Sequence, residues 1–133
     1  MEKTRRRRVL IVDDQEPMRI LLAQYIQQDL DAEVTLAGTC EAALRLVKES
    51  VFDVILLDLM MPGIGGIEVL KRTRTDSANQ ATPIVIVSIL ANAPEGGERM
   101  TEQRAKTLGA NALLSKPVNR SALIAAVKAQ LGA

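Results

Sequence analysis

Charged or hydroxyl-bearing side chains directly follow four short, mainly apolar runs in this chain. The runs span residues 9–12, 54–57, 84–87 and 112–115, and they are followed by Asp13 and Asp14, by Asp58, by Ser88 and by Lys116. Each run has the length and aliphatic character of a strand that is buried on both faces of a parallel sheet. Because the carboxyl ends of parallel strands lie at one edge of a sheet, we expect these side chains to meet in one crevice.

Segments with helical spacing separate the strand-like runs, and a weaker strand is predicted at residues 34–36. The predicted helices cover residues 18–26, 40–47, about 67–74, about 98–108 and 123–131. Thr39 and Asn119 are suited to cap the second and fifth helices, and Gly109 is suited to end the fourth. Strands that alternate with helices predict an α/β fold, in which helices cover both faces of a five-stranded parallel sheet.

Composition sets limits on the class of protein. The 133 residues suit a single domain, which we expect to span 1–133 with a core at about 8–131. A net charge of +1 argues against direct binding to nucleic acid or to a membrane surface. The single cysteine excludes an internal disulfide and, with no apparent signal peptide, favours a cytoplasmic location. The apolar last helix is compatible with a monomer or a weak homodimer.

The three aspartates predict a cation site, since clustered carboxylates repel one another unless a proton or a cation is present. Oxygen ligands with room for water suit Mg²⁺. Each residue also has a simpler interpretation. Asp14 could cap the first helix, Ser88 could bond to nearby backbone, and Lys116 could be a solvated lysine at a strand end. Their joint placement at successive strand ends favours the functional interpretation.

Phosphoryl transfer is the chemistry that these groups suit. A carboxylate is ionised at neutral pH, so Asp58 needs no base to act as a nucleophile. Mg²⁺ and Lys116 would neutralise the phosphoryl oxygens, and the new charge on Asp58 could draw Ser88 and the following segment inward. The chain has no histidine, so a phosphohistidine would have to belong to a partner protein.

These motifs resemble the response regulator receiver domain of two-component signalling, including its chemotaxis-regulator-like members. The resemblance covers residues from 8 to about 131 and rests on VLIVDD at 9–14, DLMMPG at 58–63, Ser88 and Lys116-Pro117. It implies the flavodoxin-like strand order 2-1-3-4-5, Asp58 as phosphoacceptor, and a cis bond before Pro117. It also implies Mg²⁺ held by Asp13, Asp14, Asp58 and the backbone carbonyl of Met60, Ser88 as switch hydroxyl, and Lys116 as phosphate-binding lysine.

The resemblance further implies a histidine kinase or histidine phosphotransfer protein as phosphate donor, and a downstream protein as target. Such a chain is not an enzyme in the usual sense, because it promotes only its own phosphorylation and dephosphorylation. Leu113, Ile89 and Gly65 depart from the family pattern, which usually has an aromatic, a small and an acidic or amide residue there. A longer segment near 91–97 predicts a mobile loop.

Two alternatives remain open. The chain could be a receiver fragment of a longer regulator, or a receiver-like interaction module that is never phosphorylated, an option that Ile89 and Leu113 favour. A phosphatase of the haloacid dehalogenase type is a poor fit, since Met60 stands where such enzymes place a second aspartate. A flavin-binding protein is also a poor fit, because no phosphate-cradling loop follows the first strand.

Overall fold

Five strands alternate with five helices in the computed structural model, which describes residues 6–89 and 100–132. The strands are β1 (Arg7–Val12), β2 (Ala32–Ala37), β3 (Val54–Leu57), β4 (Ile84–Ser88) and β5 (Ala112–Ser115). The helices are α1 (Glu16–Asp29), α2 (Cys40–Glu49), α3 (Gly66–Thr75), α4 (Glu102–Leu108) and α5 (Arg120–Leu131). The predicted alternation of elements is confirmed.

All four strand pairings are parallel, and the strands follow the predicted order β2-β1-β3-β4-β5. In the register of the sheet, Val12 lies beside both Ala37 and Leu57, and Ser88 lies beside Ser115. The residues that follow β1 and β3 therefore emerge side by side at the carboxyl edge of the central strands.

Two aliphatic clusters, one on each face of the sheet, form the core. Successive side chains of a strand point to opposite faces, so Leu10 and Val12 join the cluster under α2, α3 and α4. Val9 and Ile11 join the cluster under α1 and α5. The α5 residues Leu123 and Val127 are fully buried in this second cluster. The apolar side of α5 is thus used within the domain.

The helix ends agree with the sequence at three positions and differ at one. The Thr39 and Asn119 side chains accept hydrogen bonds from Ala42 N and Ala122 N, and Gly109 ends α4 with a φ of 109°. Asp14 does not cap α1, because the N-cap is Gln15 and makes no side-chain cap bond. Asp14 instead stands exposed in the turn between β1 and α1.

Element boundaries shift by a few residues from the predicted ones. Strand β2 is six residues long, because its pairing with β1 extends beyond the weak apolar pattern. Helix α4 begins at Glu102, after Met100, which is buried. The start of the predicted fourth helix at 98–99 and the predicted loop at 91–97 lie outside the described residues. Within the described residues, none of the helices combines the length and apolar character that crossing a bilayer requires.

Asn79 joins three elements at the amino edge of the sheet, opposite the carboxyl edge. Its buried amide donates to Val47 O and Ser50 O, at the end of α2, with both distances 2.7 Å. Its Oδ1 accepts from Phe52 N, ahead of β3, and from Thr82 Oγ1, ahead of β4. A single side chain thereby sets the spacing at which β3 and β4 enter the sheet.

Candidate functional site

Asp13 is buried at the end of β1, and hydrogen bonds hold it on all sides. Its N–H donates to Ala37 O at 3.1 Å, which continues the parallel pairing with β2. Its Oδ1 accepts from Gln15 N at 2.9 Å, and its Oδ2 accepts from Lys116 Nζ at 2.8 Å. The carboxylate is 1% exposed, so these donors replace the water that it loses on folding.

Asp58 follows β3 and lies next to Asp13 in the sheet. Its N–H donates to Val12 O at 2.9 Å, and its Oδ1 accepts from Met60 N at 3.1 Å. Gly66, at the start of α3, approaches closely, since a Cβ on Gly66 would lie 2.4 Å from the Asp58 carbonyl oxygen. The β3–α3 turn thus requires a glycine at position 66 to pack against the candidate nucleophile.

Lys116 links the two buried carboxylates. Its Nζ lies 2.8 Å from Asp13 Oδ2 and 3.4 Å from Asp58 Oδ2, and its side chain is only 9% exposed. The backbone N–H of Lys116 donates to Ser88 O at 3.3 Å, which fixes the lysine beside the end of β4. The peptide bond between Lys116 and Pro117 is cis, as the resemblance implied.

Burial and charge act against each other in this cluster. Desolvation raises the pKa of Asp58, even though the Met60 N–H and the Lys116 charge favour its ionised form. Burial also disfavours the charged form of Lys116, but the hydrogen bond to Asp13 and the charge of Asp58 raise the pKa of its ammonium overall. The site therefore holds a permanent cation beside a carboxylate that is costly to ionise.

The three predicted aspartates converge as a group. One carboxylate oxygen from each of Asp13, Asp14 and Asp58 lies within 4.8 Å of the others. A cleft of about 180 Å³ opens above them, lined by Asp14, Gln15, Asp58, Met60, Ile89 and Lys116. Three carboxylates with one exposed member form an oxygen donor set of the kind that suits a hydrated Mg²⁺ ion.

The structure shows where Ser88 lies and where the three residues that depart from the family pattern lie, namely Ile89, Leu113 and Gly65. Ser88 is fully buried at the end of β4, one residue before Ile89, whose half-exposed side chain lines the cleft. Leu113 is partly buried and packs against the core cluster under α4. Gly65 has a φ of 86° with extended ψ, a conformation that glycine alone adopts readily, which explains its presence before α3.

Several residues that shape the site were not predicted from the sequence. Gln15 N and Met60 N hold the two buried carboxylates, but backbone donors leave no mark in residue identity. The Arg19 guanidinium donates to the Asp13 carbonyl oxygen at 2.8 Å, although a lone arginine in α1 gives no signal of such a role. The close approach of Gly66 to the Asp58 backbone becomes apparent only in the folded structure.

The comparisons with known proteins agree on one family. The response regulator receiver domain family matches residues 9–128. The "Probable chemotaxis protein CheY" of Rhizobium etli is 33% identical over 126 residues, which cover 95% of this chain and 93% of that protein. "Transcriptional regulatory protein ResD" of Bacillus subtilis is 32% identical over 98% of this chain, which spans 50% of that protein. For "Virulence sensor protein BvgS" of Bordetella pertussis, at 38% identity over 87% of this chain, the matched part is 9% of that protein.

Solved structures give the same result. The chemotaxis response regulator CheY4 of Vibrio cholerae superposes with a TM-score of 0.81 at 31% identity, covering 96% of this chain and all of that one. A putative response regulator from Chloroflexus aurantiacus superposes with a TM-score of 0.83 at 26% identity, covering 97% of this chain and all of that one. With its strand order and its acidic edge, the chain belongs to the response regulator receiver domain family of two-component signalling.

Proposed function

We propose that Asp58 accepts a phosphoryl group from a phosphohistidine on a partner protein, in the presence of Mg²⁺. The observation that supports this most is the position of Lys116 Nζ, within 3.4 Å of both Asp13 and Asp58 at the edge of a cleft. An ammonium group held between two buried carboxylates is suited to form an ion pair with the phosphoryl oxygens once a phosphoryl group is attached to Asp58.

The transfer breaks the P–N bond of the phosphohistidine and forms a P–O bond to Asp58, and the imidazole leaves with a proton from solvent. Met60 N and Lys116 orient the Asp58 carboxylate, so the attacking oxygen is held before the donor arrives. Mg²⁺, held by Asp13, Asp14, Asp58 and the Met60 carbonyl, would neutralise charge on the phosphoryl oxygens. Lys116 supplies further positive charge at the same place.

The proposed output is a change in the surface formed by β4, α4 and β5. The acyl phosphate adds negative charge beside the end of β4, where the Ser88 hydroxyl could donate to it. Lys116 N is already bonded to Ser88 O, so movement at Ser88 is passed to β5. Leu113, which packs under α4, stands where the family usually has an aromatic side chain. We therefore expect the surface change to involve a movement of this aliphatic side chain and not the rotation of an aromatic ring.

The partners that fit this proposal are a histidine kinase or a histidine phosphotransfer protein as donor and a protein target for the phosphorylated form. We further infer a single receiver domain over 1–133 that acts in the cytoplasm, where the free, buried Cys40 thiol stays reduced. The only reaction promoted is the chain's own phosphorylation and dephosphorylation. In one relative, which is named a sensor histidine kinase, the matched part is 12% of the length of that protein.

Incubation with acetyl phosphate and Mg²⁺, followed by intact-mass measurement, tests the proposal. We expect the mass of one phosphoryl group to be added to the native chain, and no addition to Asp58→Ala. Asp31→Ala is the matched control, because the Asp31 side chain is 88% exposed on the far edge of the fold. Equal labelling of Asp58→Ala and the native chain would show that the phosphoacceptor is another residue.

A second candidate is a receiver-like interaction module that is never phosphorylated. Ile89 favours it, because this bulky side chain is 53% exposed and lines the cleft next to Asp58. If Ile89 blocks the acceptor, Ile89→Ala should take up phosphate where the native chain does not. Labelling of the native chain at a rate close to that of Ile89→Ala would exclude this alternative.

A further inference from the structure

Arg19 and Gly38 lie next to Asp13 and next to each other, and neither lines the cleft. Arg19 is in the first turns of α1, and its side chain is only 18% exposed. Its Nη1 donates to the Asp13 carbonyl oxygen at 2.8 Å, and its Nη2 lies 3.9 Å from the Glu16 carboxylate. The partly buried Arg19 guanidinium thus donates its short hydrogen bond to the backbone of a candidate cation ligand.

The first backbone hydrogen bond of α1 connects Arg19 to Gln15, the N-cap residue whose N–H donates to the Asp13 carboxylate. The Arg19 backbone N–H donates to Gln15 O at 3.0 Å, and Gln15 N donates to Asp13 Oδ1 at 2.9 Å. With the guanidinium bond to the Asp13 carbonyl, these contacts form a closed ring through Asp13, Gln15 and Arg19. The ring sets where the first turn of α1 sits relative to the end of β1.

Gly38 leaves the space that the guanidinium occupies. A Cβ at position 38 would lie 2.7 Å from Arg19 Nη1 and 3.1 Å from Cζ, and the three atoms nearest to it all belong to Arg19. The φ of Gly38 is not in the left-handed region. A side chain at position 38 would therefore displace the Arg19 guanidinium, whereas the backbone conformation at this position does not call for glycine.

We propose that Arg19 is a positioning residue that orients the Asp13 carboxylate toward the cation site and toward Lys116. Gly38 provides the space that the Arg19 guanidinium occupies. This inference rests on the proposed function of the acidic cluster. Groups that orient a metal ligand commonly change metal affinity about tenfold or more when removed, although they do not touch the ion. Arg19 is also a positive charge near the site, so a purely electrostatic role would tighten cation binding when the side chain is removed.

The test is a Mg²⁺ titration, followed by calorimetry or by amide chemical shifts, on Gly38→Ala, Arg19→Ala and the double variant. Gly38→Ala keeps the positive charge and only displaces the guanidinium, which is the end of a flexible side chain. We expect each single variant to bind Mg²⁺ about tenfold more weakly. The double variant should lose no more than either single one, because the three atoms nearest to the added methyl group all belong to the Arg19 guanidinium and are absent without it.

Three controls make the result specific. Arg72→Met removes an exposed arginine from α3 and should leave Mg²⁺ affinity unchanged. In metal chelator, the Gln15 amide should exchange with solvent faster in both single variants, since its bond to Asp13 Oδ1 is weakened. Arg19→Lys keeps the charge with a shorter reach and should recover part of the affinity, which keeps the proposal testable if Arg19→Ala does not fold.

Three outcomes would overturn the proposal. Native Mg²⁺ affinity in Gly38→Ala and Arg19→Ala would show that the ring does not position Asp13. Additive losses in the double variant would show that Gly38 does not act through Arg19. Absence of Mg²⁺ binding by the native chain would remove both this inference and the proposed cation site, whereas the first two results would leave the cation site standing.

Discussion

At the scale of single residues, Asp58 shows how a site can oppose the stability of its own fold. The carboxyl is 4% exposed, and burial raises its pKa, so its ionised form is destabilised in the folded chain. The same residue is proposed as the nucleophile, for which the ionised form is required. Lys116 reconciles the two demands in part, by supplying a nearby positive charge.

This conflict predicts a pH-dependent gain in stability for Asp58→Asn in metal chelator. The folded-state pKa of Asp58 lies above the unfolded value of 3.8. Protonated Asp58 therefore contributes fully to the free energy of unfolding below pH 3.8, and this contribution is lost as the pH rises through the folded-state pKa. The asparagine variant should therefore have a higher free energy of unfolding than the native chain at pH 7, with a smaller difference at pH 4. Urea unfolding at both pH values measures this, and equal differences at the two pH values would contradict it.

At the scale of elements, the candidate site lies at the carboxyl edge of the sheet, and a buried hydrogen-bond network centred on Asn79 lies at the amino edge. The Asn79 side chain makes four hydrogen bonds that join the end of α2 to the residues ahead of β3 and β4. Loss of this amide would leave buried donors and acceptors unpaired. The contacts of the carboxyl edge should be kept, since the hydrogen bonds that Asp13 and Asp58 make within the described residues go to residues near that edge.

We expect Asn79→Ala to lower the free energy of unfolding by about 3 kcal/mol, because each unpaired buried polar group costs about 1–3 kcal/mol. The neighbouring Gln80→Ala is the matched control, since the exposed Gln80 side chain makes one long bond of 3.4 Å to Thr75 O. Its effect should stay within about 0.5 kcal/mol. Urea unfolding of the two variants measures both free energies, and similar small losses would show that the Asn79 side chain does not stabilise the amino edge of the sheet.

At the scale of the whole molecule, the proposed cation binding would be linked to folding, because the three aspartates come together only in the folded chain. Asp13 and Asp58 are 45 positions apart in sequence, and their separation is set by the pairing of β1 with β3. A ligand that binds only the folded state stabilises it by mass action. The apolar side of α5 is buried in the same fold.

Mg²⁺ at ten times its dissociation constant should raise the free energy of unfolding by about 1.4 kcal/mol. Asp13→Ala should lose most of this gain at the same Mg²⁺ concentration, since it removes one of three converging carboxylates. Asp31→Ala, at an exposed position far from the cluster, should keep the gain. Thermal or urea unfolding with and without Mg²⁺ measures both, and a gain retained in Asp13→Ala would remove Asp13 from the set of ligands.

The sequence by itself determined the strands, their parallel arrangement and the residues at their ends, because buried parallel strands must be continuously apolar and must share a carboxyl edge. It therefore predicted Asp13, Asp14, Asp58, Ser88 and Lys116, and the five strands and five helices of the fold with boundaries that differ by a few residues. Only the tertiary structure decided the capping of α1, the backbone donors on Asp13 and Asp58, and the place of Arg19 against Gly38. Those features depend on how distant segments pack in space, and residue identity along the chain does not encode that geometry locally.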